Sequence, residues 1–399
     1  MKIVQPSGYV VLILACLVAF GPLSIDMYLP ALPTIATDLA SDTTAIKQTI
    51  TIFLIGFSVG MLIYGPLSDY YGRRKLLLAG VVVYLCATIA SVLAPSADFL
   101  LIARLFQALG GASASVLARA MVRDIYEVKD AAKILSWMQI ITMIATLIAP
   151  ILGGILVTYY GWRSIFIFLF VFVLTSATMF ATRLPETLPE ERRLPSVMMV
   201  FKSYYQIATS SIGLAYILCM ASAFAGMFVY ITTSPFIFIE YFGLSSQQYA
   251  YVFGFNIFGI MIMTTINATF VGRVGPQKMI QIGTTTLFLS SLALLLMGAT
   301  GIGGLWGIIF GIWFFVAMTG SLNANCIALL MRVFPMQAGA AAGLAISFQF
   351  GLGALMSFIV SQFGTNEPWP MTHFMALMGC VSLLSMFVSR ASYYKYIAS

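Results

Sequence analysis

The chain has 399 residues, of which 61% are hydrophobic and only 8% charged. A water-soluble domain of this size needs more polar surface, so the composition excludes one and points to an integral membrane protein. The formal net charge of +7 would suit a nucleic-acid partner, but the placement of the cations described below excludes that reading.

Twelve apolar runs lie near 8–32, 46–68, 76–94, 98–120, 134–158, 163–182, 210–232, 247–270, 278–298, 302–325, 339–362 and 371–390. Each approaches the roughly 20 residues that cross a bilayer as a helix. They are too long and too uniformly apolar for barrel strands, which run about 10 residues with strict alternation. The expected fold class is therefore all-α, with twelve transmembrane helices. The longest polar interruption, 183–206, holds three prolines and a mixed charge run. It divides the chain into a six-helix bundle over 1–182 and a second over 207–399, with a cytoplasmic linker between them. Its expected work is to link and to anchor at the membrane surface through Arg192, Arg193 and Lys202.

The first run, beginning "MKIVQPSGYVVLILACLVAF", has the charge and apolar core of a signal peptide. No small-x-small cleavage pattern follows, and the apolar character continues, so it is expected to stay as the first span. With the N-terminus placed in the cytoplasm, only Lys47 and Arg163 of the 20 Lys and Arg residues fall outside, and only Arg104 falls within a span. The outer loops carry Asp38, Asp42, Asp98, Glu240 and Glu367 instead. That asymmetry puts both termini in the cytoplasm.

Asp26 interrupts the first span, in "GPLSIDMYLPALP". It lies roughly 25 Å along the axis from Gly8, in the outer part of the membrane, and Pro22 can bend the helix and turn the carboxylate inward. Three readings stand: the outer end of a short span, a static ion-pair partner, or a group that takes up and releases protons in a transport path. Burial of a carboxylate disfavours its ionised form, which suits the third. After span 2 comes "GPLSDYYGRRK", where Gly65 and Pro66 punctuate the helix end. Asp69 stands near Arg73, Arg74 and Lys75, and Gly72 permits a tight turn. Span 4 carries Arg104 among apolar residues, at a cost of about 2.5–3.5 kcal/mol on insertion scales unless it finds a partner or a wet cavity. Gln107 shares its face. Gly110, Gly111, Ala112, Ser113 and Ala114 then allow a neighbouring helix to come close, and Arg119, Arg123 and Asp124 follow at the inner end. Span 5 holds Pro150, Gly153 and Gly154, a pattern for a kink with close packing.

The second half is marked mainly by layout. "VGRVGPQK" at 271–278 repeats part of "SDYYGRRK" at 68–75, with Gly72 matching Gly275 and Lys75 matching Lys278 at an offset of 203. Polar or aromatic residues inside spans are candidate substrate contacts: Gln139, Tyr230, Asn256, Asn323 and Gln349. Asn325 lies two residues from Asn323, so the two cannot fully share a helix face, and at least one is expected to bond a neighbour. The five cysteines sit singly in apolar runs and are expected to be small buried hydrophobes. His373, the single histidine, is expected at the interface near the outer end of the last span. No metal spacing, cofactor motif, nucleophile–base pair or phosphate-binding G-x-x-x-x-G-K-[ST] loop is present. The chain is therefore not read as an enzyme, no cofactor is expected, and an ion gradient is the expected source of energy.

The spacing of Gly65, Asp69, Gly72, Arg73 and Arg74 resembles the signature loop between spans 2 and 3 of the major facilitator superfamily. Tyr70 stands where that family usually has a basic residue. The span-4 stretch around Arg104 and the Pro-x-x-Gly-Gly of span 5 resemble further motifs of the superfamily, although Ala145 and Ala149 replace usual glycines. With "SIDMYLPALP" and "RAMVRDIY", the chain is most similar to its Bcr/CflA-type drug:proton antiporters. The resemblance implies two pseudo-symmetric six-helix bundles that alternate access around a substrate path near the midplane. It implies an inner gate of Gly65, Asp69, Gly72, Arg73, Arg123 and Asp124, and proton coupling through Asp26 and Arg104. The span-5 pattern of Pro150, Gly153 and Gly154 implies antiport. Export of small antibacterial compounds from the cytoplasm across a bacterial inner membrane, by a monomer exchanging drug for protons, is the implied function. A proton-coupled symporter for a nutrient or metabolite is the nearest alternative, and a signalling or scaffold membrane protein without flux is another.

Overall fold

A computed structural model describes residues 8–193, 195–363 and 367–398. Of the cations considered above, Lys2 lies outside the described residues, as do the side chains of Lys129, Arg192 and Lys395. Among the described residues the chain is helical, with no strand. It divides into two compact units, residues 1–198 and 199–399.

The first unit holds α1 (Gly8–Val18), α2 (Phe20–Asp26), α3 (Leu32–Asp38), α4 (Thr43–Tyr71), α5 (Arg73–Val92), α6 (Ala97–Ile125), α7 (Val128–Tyr160) and α8 (Arg163–Arg183). The second holds α9 (Met198–Thr209), whose first residue closes the first unit, and α10 (Ser211–Pro235) with a π-helical extension over Phe236–Tyr241. Then come α11 (Ser246–Val274), α12 (Pro276–Thr300), α13 (Gly304–Val333), α14 (Ala338–Ser361) and α15 (Trp369–Ala398). Eleven helices are long and apolar enough to cross a bilayer, and the bent segment from Gly8 to Asp38 makes a twelfth if taken as one span. Each unit then has six.

Most helices outrun the apolar runs that announce them. α7 starts at Val128, not near 134, and α6 continues to Ile125. Hydropathy marks only the hydrocarbon slab, whereas backbone hydrogen bonding carries a helix on into the interface. The first span departs most from expectation. It bends by 44° between Val18 and Phe20, one turn before Pro22, whose ring clashes with the carbonyl four residues earlier and which donates no N–H. It is interrupted again after Asp26 by a turn and a 3-10 stretch over Leu29–Ala31. The 183–206 stretch also holds more structure than a linker: α9 begins inside it, burying Tyr204 and Ile207 and exposing Met198, Met199, Phe201 and Tyr205. That is the pattern of a helix lying along an interface.

Helices in lipid gain little from the hydrophobic effect and are held by close packing. The small residues of α6 provide it. Gly56 and Gly60 of α4 lie against Ala108 and Ala112, and Gly80 of α5 lies against Ser113. A Cβ at Gly110 would stand 2.5 Å from both the Gly80 carbonyl oxygen and the Tyr84 nitrogen. α6 is thus wedged between α4 and α5, with Leu117 and Met121 in the core of the unit. Replacing Gly110 with Val is expected to destabilise the first unit by about 1–3 kcal/mol, the range for overpacking. Thermal unfolding of the purified protein, followed by gel-filtration monodispersity, measures it.

Candidate functional site

The bend and the break around Asp26 depend on a glycine in another helix. A Cβ at Gly153 of α7 would collide with the Met27 carbonyl and lie 2.9 Å from the Met27 Cα. The residue after Asp26 therefore rests with its backbone directly on α7. Pro150 and Gly154 are buried on the same helix, which runs unbroken through Pro150. The Gly154 carbonyl accepts the Thr158 hydroxyl at 2.8 Å.

Asp26 itself is 6% exposed. Among the described residues its carboxylate makes no hydrogen bond and no ion pair. Of the three readings, a static ion pair finds no partner here among the described residues; the helix α2 does end at Asp26, but the residue is buried. The residues two before and two after it are tied down. The Ser24 hydroxyl lies 2.6 Å from the Tyr84 hydroxyl, and the Tyr28 hydroxyl 2.9 Å from that of Thr49.

Arg104 is completely buried. Its Nη1 donates to Gln107 Oε1 at 2.6 Å, and Gln107 Nε2 donates to the Thr88 hydroxyl at 2.9 Å. The guanidinium stands 4.5 Å from the Tyr28 ring centre, 4.3 Å from that of Phe53 and 5.9 Å from that of Phe166. Ring faces attract a cation, and more strongly where water is absent. Nε and Nη2 of Arg104 are left without acceptors. Asp26 and Arg104, expected together, form no ion pair. They are joined through Tyr28, which shares a segment with one and a ring face with the other.

At the basic end of the unit, Gly72 takes φ +99° between α4 and α5, a conformation that favours glycine. Arg73 is buried and branches to two carboxylates, with Nη1 2.5 Å from Asp69 and Nε 3.0 Å from Asp124. Its Nη1 also donates to the Ser68 hydroxyl. Gly65 has open space around its Cα, and its carbonyl accepts the Ser68 hydroxyl at 2.8 Å. Arg123, expected as a further member, is exposed and makes no direct ion pair among the described residues; it meets Asp69 and Asp124 through space.

Glu186, unassigned by the sequence reading, completes this cluster. Its carboxylate accepts the backbone N–H of Arg73 at 2.9 Å and of Arg74 at 3.1 Å, the first two residues of α5. Helix N-termini present unpaired donors and a partial positive charge, and an anion satisfies both. Thr187 N and Leu188 N donate to the same carboxylate, and the Thr187 hydroxyl reaches Asp124 at 3.2 Å. Partial burial pushes the Glu186 carboxyl up, but these four N–H donors outweigh it and hold it below the usual range. The sequence offered no signal beyond one acid among the three of "PETLPEE".

In the second unit, Tyr230 is buried, stacks on Phe253 at 5.8 Å and accepts Asn256 Nδ2 at 2.9 Å. Asn256 Oδ1 and Asn323 Oδ1 are buried without donors. Gln349 is buried, while Gln139, in the first unit, is exposed. Asn325 is the asparagine that bonds a neighbour, donating to Asn267 Oδ1 at 2.6 Å. Other expectations meet mixed outcomes. Lys47, counted on the outer side, is buried near the start of α4. Arg163 pairs with Asp38 at 2.7 Å. Of the cysteines, Cys219 and Cys326 are buried, but Cys86 is exposed on an apolar flank. His373 is exposed, with Nδ1 2.8 Å from the Trp369 carbonyl.

A depressed carboxyl contributes stability above its unfolded value and loses it as pH falls through its folded value. Glu186→Gln is therefore expected to cost about 1 kcal/mol at neutral pH, a typical capping contribution. The difference from the parent should shrink as pH drops below 4.5, the ordinary value for Glu. Paired thermal melts across that range measure it.

The family model of the Major Facilitator Superfamily matches residues 14–358. A bicyclomycin resistance protein homolog of Haemophilus influenzae is 29% identical over 386 residues, covering 96% of each chain. Multidrug resistance protein D of Escherichia coli K12 is 28% identical over 390 residues, covering 95% of each. Among solved structures, a D-xylose–proton symporter superposes with a TM-score of 0.72 at 18% identity, covering 95% of each chain. That likeness speaks for the fold. With two six-helix units and a match over most of its length, this chain belongs to the Major Facilitator Superfamily and is a multi-pass membrane transporter of small molecules, not an enzyme.

Proposed function

We propose that the chain is a proton-driven antiporter that exports small amphipathic compounds, antibacterials among them, from the bacterial cytoplasm. It sits in the inner membrane with both termini inside and works as a monomer by alternating access of its two six-helix units. The reading rests on one observation: a buried carboxylate, Asp26, with no partner among the described residues, set in the broken first span. The names of the relatives, which include bicyclomycin and multidrug resistance, support the cargo class.

An antiporter needs a group that holds either a proton or the consequence of cargo, never both at full strength. Asp26 can be neutral in the absence of cargo and ionised in its presence. Each state favours a different arrangement of the segment around it, because Ser24, Tyr28 and the Met27 backbone are already anchored to α5, α4 and α7. Arg104 supplies a fixed positive charge nearby in the network, with two donors unspent. The membrane potential adds about 2.3 kcal/mol per charge per 100 mV. The Arg73–Asp69–Asp124 cluster with Arg123 beside it, the turn at Gly72 and the helix end around Gly65 serve as the inner gate. Tyr230, Asn256, Asn323 and Gln349 are cargo contacts in the second unit.

Asp26→Asn is expected to insert normally and to lose proton-coupled export by at least tenfold. Accumulation of cargo in inside-out vesicles whose lumen is made acidic measures it; full accumulation in the variant removes Asp26 from the coupling role, and cargo moving in the same direction as the proton favours a symporter. Gly153→Val should force the Met27 backbone off α7 and lower the export rate to a similar degree. The drug resistance conferred on an efflux-deficient host, at matched membrane abundance, reports it.

A further inference from the structure

Ser24 and Tyr28 stand two residues to either side of Asp26, and both lead to Arg104. The Tyr28 ring meets the guanidinium directly, at 4.5 Å. The path from Ser24 is longer. Its hydroxyl lies 2.6 Å from the Tyr84 hydroxyl of α5, which Thr88 and Gln107 also face. Gln107 donates to Thr88 at 2.9 Å and accepts from Arg104 at 2.6 Å. Ser24, Tyr84, Thr88, Gln107, Arg104 and Tyr28 thus form a circuit closed around Asp26, and none of the six reaches solvent. α5 takes part because Gly110 of α6 lets the Tyr84 backbone come close; a Cβ there would stand 2.5 Å from the Tyr84 nitrogen.

The proton of each hydroxyl can be placed. Ser24 Oγ lies 2.6 Å from the Phe20 carbonyl, which can only accept, so Ser24 donates there. Having one proton, Ser24 must accept from Tyr84. Thr88 spends its proton on the Tyr84 backbone carbonyl at 2.7 Å and accepts from Gln107. Two donor chains result. One runs from Tyr84 through Ser24 to Phe20, the other from Arg104 through Gln107 and Thr88 to the Tyr84 backbone. Each ends on a backbone carbonyl, which has no proton to pass on. The circuit therefore holds positions and conducts no protons. Phe20 is the first residue of α2, just past the 44° bend. A hydroxyl bonded back to the carbonyl four residues earlier favours such a bend.

Given the coupling role proposed for Asp26, we propose that Tyr84 is a positioning residue for it: its hydroxyl ties the Asp26 segment to the Gln107–Arg104 pair, so that a shift of either moves the other. Without that hydroxyl the segment meets Arg104 from the Tyr28 side alone. A change of charge at Asp26 then reaches the guanidinium only in part.

The full chain in proteoliposomes separates coupling from cargo passage. Labelled bicyclomycin is followed twice, exchanging at equal pH and concentration, then accumulating in an acidic lumen. Tyr84→Phe keeps the ring that packs on Phe20 at 5.7 Å and loses only the hydroxyl. It is expected to lower accumulation, relative to exchange, by at least about fivefold, the low end for coupling between sites. Ser24→Ala should do the same, and the two together should lose no more than either alone, because they break one bond. A merely structural role lowers exchange and accumulation alike and adds in the double variant; that result overturns the proposal. So does a parent-like ratio in Tyr84→Phe. Asp26→Asn in the same assay keeps the two roles apart. If it loses accumulation while Tyr84→Phe retains it, the role of Tyr84 alone falls. If it accumulates fully, the coupling role of Asp26 falls and that of Tyr84 with it.

Discussion

The contact between Gly153 and the Met27 carbonyl sets the terms for the rest of the first unit. In a bilayer, backbone that leaves a regular helix must be buried in protein or line a wet cavity, since lipid offers no hydrogen bonds. The first span leaves its helix twice, after Val18 and after Asp26, and it can do so because α7 presents bare backbone at that level. Ser24 and Tyr28 are then held at the right depth to reach Tyr84 and Thr49. Asp26 is enclosed between two anchored neighbours instead of being carried past the membrane surface. A side chain on residue 153 would straighten the problem at the wrong place, by pushing the broken segment away.

Two solutions to buried charge appear in one unit. Arg73 is met by two carboxylates and a hydroxyl, so its positive charge is compensated locally. Arg104 has Gln107 and three ring faces, which attract the charge without cancelling it. The first arrangement suits a joint that holds a shape. The second leaves a positive charge uncancelled in the interior of the unit.

Much of this was legible in the sequence, and the limits have physical reasons. Apolar length revealed the spans, because the bilayer imposes it on each segment alone. Gln107 was readable as a companion of Arg104, because positions three apart share a helix face. Tyr28, Phe53 and Phe166 were not, since they come from the turn after α2, from α4 and from α8, and only tertiary packing brings them together. Glu186 was hidden for a similar reason: nothing local separates it from Glu190 and Glu191, and its partners lie more than a hundred positions away. The burial of Lys47 was not legible, because charge counting gives a cation a side of the membrane but not its neighbours, and α4, beginning at Thr43, packs it inside the unit.

The distance along the chain between α5 and Glu186 bears on how the protein is made. A ribosome delivers residue 73 to the membrane long before residue 186. The third span therefore inserts with its amino end uncapped and completes it only once the sixth has emerged. Assembly of the first half thus closes on an acid that arrives more than a hundred residues after the donors it meets.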